Sequence, residues 1–135
     1  MKSEGIHPSV DLALLILRVG VSVLMLVHGW AKLQRALSGD LGFADPIGMG
    51  ETTSLFATIF AEFFCSILLI LGFLTRPALL FLIFTMCVIV FVVHAGEYDK
   101  QEHALLYLIP YVAIFILGPG RYSMDYRWLN KLLGK

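Results

Sequence analysis

Apolar residues fall in long blocks along this chain, and the polar positions within those blocks are few. Four blocks stand out: about Asp11 to Leu33, Ser54–Leu74, Pro77–Ala95 and about Glu102–Gly118. A helix that crosses a bilayer needs about 17–25 residues at 1.5 Å each. The second and third blocks meet this outright, and the first meets it with Arg18 inside. The fourth is shorter and carries Pro110 near its middle, which predicts a kink whose freed backbone groups neighbouring helices must satisfy. The pattern predicts an all-α protein, a four-transmembrane-helix bundle in a single membrane domain over residues 1–135.

The connections differ in length. Thr75-Arg76 reads as a tight turn, with Pro77 at the first position of the third helix, where its missing N–H costs nothing. Gly96–Gln101 is a short charged loop. Leu37–Thr53 is long and rich in Gly and Pro, and reads as a loop, in part re-entrant. Gly118-Pro119-Gly120 stops the last helix and reverses the chain. Tyr126-Arg127-Trp128 then suits the headgroup level.

Composition supports the membrane reading. Of 135 residues, 59% are hydrophobic, against about 45–50% in soluble domains, and mean hydropathy is +0.83. Net charge is zero, so nucleic-acid binding has no electrostatic basis. Cys65 and Cys87 form no C-x-x-C pair, and the first apolar block lacks the small-residue cleavage site of a signal peptide. Four crossings put both termini beside Arg76. Lys2, Arg76, Arg121, Arg127, Lys131 and Lys135 then outnumber Lys32, Arg35 and Lys100 opposite, which predicts cytoplasmic termini.

Charges at bilayer depth point to candidate chemistry. Arg18 and Glu62 each cost about 2.5–3.5 kcal/mol in lipid unless they face a protein interior with a partner. By rise per residue, Arg18 lies about 10 Å from the cytoplasmic end of its helix, while Glu62 and His28 lie about 12 Å and 7 Å below the outer end of theirs. This predicts an Arg18–Glu62 pair. Arg18, Ser22, Met25, Gly29 and Lys32 share one stripe; Thr58, Glu62, Cys65 and Ser66 another; His103, Tyr107 and Tyr111 a third. Cys87 and His94 share a face of the third helix.

Polar faces should turn inward, gathering His28, Lys32, Glu62, His94, Glu97, Glu102 and His103 toward the outer end. The expected ligand-binding residues are Arg18, His28, Lys32, Glu62, His94 and Tyr107. Each also has a plainer reading. Arg18–Glu62 can be an ion pair that fixes register. His94 to His103 can be the rim of a solvated loop, and the tyrosines and cysteines can be packing. His94-x-x-Glu97 has the spacing of a di-metal helix motif in reverse, but its depth does not match that of Glu62, and no metal is assigned.

These residues carry a family resemblance. Arg18-Val-Gly20, His28-Gly29-x-x-Lys32, Glu62, Leu71-Gly72-x-x-Thr75-Arg76, Glu102-x-x-x-x-Tyr107 and Gly118-Pro119-Gly120-x-x-Ser123-x-Asp125 together resemble the DoxX family of small four-helix membrane proteins. Many members have a glycine pair soon after the helix-two glutamate. Here Phe63-Phe64-Cys65-Ser66 stands instead, which puts close packing of that helix in question. The resemblance implies a multi-pass protein of the prokaryotic inner membrane. It also implies association with membrane oxidoreductase systems, including quinol oxidation and thiosulfate:quinone oxidoreduction, and therefore redox partner subunits.

Fold alone does not transfer activity, and the chain has no haem pair and no nucleotide fingerprint. Two functions remain open. One is an oxidoreductase component that binds a quinone or similar apolar ligand, alone or as a homo-oligomer, with its head held by His28, Lys32, Tyr107 and Glu62. The other is a non-enzymatic scaffold or small-solute carrier with structural charges.

Overall fold

The computed structural model describes residues 7–134; Lys2 and Lys135, counted above for orientation, lie outside them. Every regular element among the described residues is helical: α1 Pro8–Leu37, α2 Glu51–Leu71, α3 Thr75–Val93, α4 Tyr98–Leu117 and α5 Met124–Leu132. The first three are long and apolar enough to cross a membrane. Met25, Leu69, Leu82 and Ile114, one from each of α1 to α4, are buried in one shared core. Ile16, Val27, Phe91, Ile109 and Ile116 face outward, an apolar surface suited to lipid. The bundle has a long-loop end, where 38–50 joins α1 to α2, and a short-turn end, where α2 meets α3.

Several helix limits move outward from the hydropathic blocks, although α2 and α3 stop short of theirs, at Leu71 and Val93. α1 continues four residues past Leu33 to Leu37, and α4 begins at Tyr98. Polar residues at membrane level still wind into helix, because the backbone there satisfies itself only that way. α4 remains helical through Pro110. α5 is an element the hydropathic blocks do not include. The Ser123 side chain caps it by accepting from the Tyr126 N–H at 3.2 Å, the local bond that favours serine at a helix start.

The turn between α2 and α3 is Gly72–Leu74, not Thr75-Arg76, and Pro77 is the third residue of α3. Gly72 and Leu74 both take left-handed conformations, with φ of 68° and 48°. A distant residue fixes this geometry. The Asp125 carboxylate accepts from the Leu74 and Thr75 N–H groups at 2.8 and 2.9 Å, so it caps α3 at its positive end. The Asp125 N–H in turn donates to the Gly72 carbonyl at 2.9 Å. Pro77 still falls in the first turn, where no intrahelical acceptor is lost.

α1 and α2 pack closely although α2 lacks a glycine pair. The close approach comes from α1: a Cβ on Gly29 would lie 2.7 Å from the Glu62 carbonyl carbon and from the Phe63 nitrogen. Small residues let membrane helices touch backbone to backbone. Phe60–Cys65 of α2 and Ile89–Val93 of α3 are wound as π-helix, a local widening frequent at functional sites. Glu62 sits within the first.

Candidate functional site

Gly29 sets the level of Glu62, and one turn above Gly29 on α1 comes Lys32. Its Nζ donates to Glu62 Oε2 at 2.6 Å. The Glu62 side chain is 3% exposed and that of Lys32 24%. Glu62 therefore pairs with Lys32, not with Arg18. About 16 Å of helix separates Arg18 from Gly29 at 1.5 Å per residue, beyond the reach of a side chain.

Arg18 belongs to the short-turn end. Its Nη1 lies where a Cβ on Gly72 would be, 1.7 Å away, and its Nη2 donates to the Tyr122 carbonyl at 2.7 Å. Asp125 supplies a nearby negative charge. Asp11 joins the same cluster by accepting from the Arg121 N–H at 3.0 Å. Arg18 Nε and Nη1 are buried without a partner among the described residues. The chain after α4 thus folds back over the bundle and takes the arginine that α2 was expected to hold.

The other expected site residues do converge. His28, Lys32, Glu62, His94, His103 and Tyr107 line a cavity of about 150 Å³. The His28 ring meets Tyr107 and His103 edge-on, with centroids 5.9 and 6.3 Å apart. His28 and His103 are exposed, Tyr107 half-buried and Tyr111 fully buried, so polarity grades inward from the mouth. Glu97 and Glu102 stay outside. Glu97 is drawn to Lys100, 2.5 Å away, because both are solvated and one helical turn apart. The side-chain hydrogen bond from Lys100 holds its carboxyl below the ordinary range. No cluster of three or more metal-ligating His, Cys, Asp or Glu side chains occurs among the described residues.

A second, larger cavity of about 490 Å³ lies across the ion pair, between α2 and α3. Lys32, Glu62, Ile89 and His94 line both cavities. Phe43, Pro46, Ile47 and Met49 of the long loop reach into its wall, a role that nothing in their composition announced. The loop is pinned at its start, where Arg35 Nη2 lies 3.0 Å from Asp40 Oδ2 and the Gly42 N–H donates to Oδ1 at 3.2 Å. The Arg35 hydrogen bond, with that from Gly42, holds the Asp40 carboxyl below its usual range. Ser54 Oγ donates to Asp45 at 3.2 Å and ties the loop to the start of α2.

Ser22, Ser66 and Tyr111 are buried in the bundle below the ion pair, and their hydroxyls find no partner among the described residues. Tyr111 lies close to Tyr107, Glu62 and Cys65. Cys65 is buried and Cys87 half-buried, both as free thiols. The arrangement can therefore hold a ligand head by charge and hydrogen bonding at Lys32–Glu62, with imidazoles leading toward the mouth.

Similarity agrees with this architecture. No curated protein and no solved structure gives a significant match. The DoxX family model matches residues 13–95, which takes in α1 beyond its first turn, the long loop, α2 and α3. That match covers the Gly29 contact, the Lys32–Glu62 pair and most of both cavities, and the chain belongs to the DoxX family of membrane proteins.

Proposed function

We propose that this chain is the membrane component of a prokaryotic inner-membrane oxidoreductase system and binds the head of a quinone or similar apolar ligand at Lys32–Glu62. The observation that carries it is the pairing of a buried Glu62 with a half-buried Lys32 in the wall between two cavities. Glu62 Oε2 is engaged by Lys32, and Oε1 accepts no hydrogen bond among the described residues. A quinol hydroxyl can donate to that free oxygen, and a quinone carbonyl can accept from the Lys32 ammonium, which has donors to spare. Oxidation of a quinol releases two electrons and two protons. The electrons pass to a redox partner subunit. The protons leave on the side of the smaller cavity, which Glu62, Tyr107, His28 and His103 line. His94 Nδ1, buried without a partner among the described residues, offers a further contact.

In this reading residues 1–135 form one membrane domain with four crossings and cytoplasmic termini. The outward Ile109 and Ile116 of α4 support the fourth crossing, and Arg76, Arg121, Arg127 and Lys131 at the short-turn end support the orientation. The long-loop end, with both cavities, then faces outward. Cysteines placed at Asp40 and Asp99 in a background lacking Cys65 and Cys87 should react with an impermeant reagent added outside. Labelling at Arg121 instead would invert the topology.

The functional test is purification with native lipid, followed by addition of a short-chain benzoquinone. Co-purified quinone, or a thermal shift that Glu62→Gln and Lys32→Met abolish, supports the reading. A shift absent in the wild type, or unchanged in both variants, favours the scaffold or carrier role.

A further inference from the structure

We propose that the cavity between α2 and α3 is the seat of the ligand's apolar chain, entered sideways from the lipid. The inference rests on the head-group reading above and adds a subsite, a direction of entry and a ligand class: a ring head bearing an isoprenoid or alkyl tail. A volume of about 490 Å³ falls within the usual range of small-molecule pockets, and three features fix what it takes.

Its polar lining is turned away. Thr58 Oγ1 donates to the Ser54 carbonyl at 2.8 Å and Thr85 Oγ1 to the Phe81 carbonyl at 2.8 Å. Ser54 Oγ is occupied by Asp45 at 3.2 Å. The hydroxyl hydrogens being spent on local acceptors, these walls offer no free hydroxyl donor, and most of what faces the cavity is methyl, methylene and ring carbon. A chain without hydrogen-bonding groups strands no hydroxyl donor there, whereas a polar solute finds no hydroxyl donor to accept from.

The ionisable groups of the lining are confined to one place, where Lys32, Glu62 and His94 form the boundary with the smaller cavity. A ligand must then be amphiphilic, with its head at the pair and its chain along α2 and α3. Its polar end meets the histidine-lined cavity and its apolar end does not.

The side walls open to the membrane. Phe81 and Phe84 line the cavity yet are 52% and 59% exposed, and they lie on α3, a helix apolar enough to cross the bilayer. What they are exposed to at that depth is lipid. Phe43, Pro46, Ile47 and Met49 lie on the long-loop side of the same space, so the aqueous approach is covered by apolar side chains while the lateral approach is framed by rings. A ligand dissolved in the bilayer reaches Glu62 without passing through water.

The experiment compares two quinones with one ring and different tails, binding to the full chain in nanodiscs by native mass spectrometry. Ala57→Trp fills the cavity from an exposed position on α2, and Thr85→Trp fills it from the opposite wall. Each should weaken binding of the long-tailed quinone tenfold or more and change binding of the short-tailed one by no more than two- to threefold. Equal weakening of both, or of neither, overturns the inference while leaving the head site in place. A phospholipid that leaves with Ala57→Trp but stays through excess long-tailed quinone also overturns it. If the wild type binds neither quinone, the reading it rests on falls, and the inference with it.

Discussion

Removing one partner of the Lys32–Glu62 pair should have unequal consequences on its two sides. At 2.6 Å and an effective dielectric of about 20, the charges attract by about 6 kcal/mol. Taking both from water returns several kcal/mol of this. Close charge pairs measured by mutant cycles couple by about 1.5–7 kcal/mol, and we expect about 2–4 kcal/mol here. Lys32→Met strands a carboxylate whose side chain is 3% exposed, which places it near the 3–5 kcal/mol typical of an uncompensated buried charge, roughly.

Glu62→Gln strands an ammonium that is 24% exposed on a flexible stem. Lys32 can carry it to the headgroup level, so the loss should be about 1–2 kcal/mol, toward the lower end of hydrogen bonds to charged groups. The double variant should recover much of the loss from Lys32→Met. The assay is reversible denaturation in mixed micelles of the wild type, both single variants and the double variant. Single losses that add within about 0.5 kcal/mol would refute the pair. A second cycle tests placement: Arg18→Met and Glu62→Gln should be additive, and coupling between them would refute the assignment of Arg18 to the other end.

Three further outcomes follow from single contacts. Gly29→Ala puts a Cβ 2.7 Å from α2 backbone, which must retreat as a whole, so stability should fall by about 1–3 kcal/mol in the same denaturation assay. Tyr111→Phe removes a buried hydroxyl without a partner among the described residues and should be neutral or stabilising, by up to about 1–3 kcal/mol; a clear loss would mean that the hydroxyl has a partner. Asp40 should titrate by NMR below its ordinary value because of Arg35 and Gly42, and Arg35→Gln should raise the midpoint. The folded value being depressed, its contribution is present above the unfolded value and is lost as pH falls through the folded one.

Hydropathy and helical spacing made much of this molecule legible. The α1 stripe Arg18, Ser22, Met25 and Gly29 is buried as its period requires, and five of the six expected site residues line one cavity. The exception is Arg18. Depth counted from hydropathic edges put it within reach of Glu62, but helix ends in a membrane protein run past those edges. The contact that sets register is Gly29 against Glu62, and one glycine in an apolar block does not announce itself.

Long-range capture was equally hidden. Asp125 capping α3 and Tyr122 holding Arg18 join positions 51 and 104 residues apart, respectively, and no local rule links them. The π-wound segments leave the periodicity of their flanks nearly intact, so Glu62 could be placed on the inner face without any hint of how its turn widens. The helix α5 was legible in principle. Ser123 followed by Met124, Trp128, Leu129 and Leu132 is a cap ahead of an amphipathic spacing, read above only as an interfacial motif.

Arg18, fully buried, and Lys32, half-buried, divide the labour of the bundle. At the short-turn end Arg18 is enclosed by a backbone carbonyl, a nearby carboxylate and the close approach of Gly72, with neither of the two cavities beside it. Such a group fixes how the segment after α4 closes on α2 and α3, and a change there acts on folding. At the long-loop end Lys32 is held by one bond to one oxygen, between two cavities, with donors still free. Burying a carboxylate there is costly unless it is paired, and two well-packed apolar residues would serve stability as well or better. In the function we propose, the polarity of the Lys32–Glu62 pair answers to what it holds rather than to what it stabilises, whereas the enclosed Arg18 answers to what it stabilises.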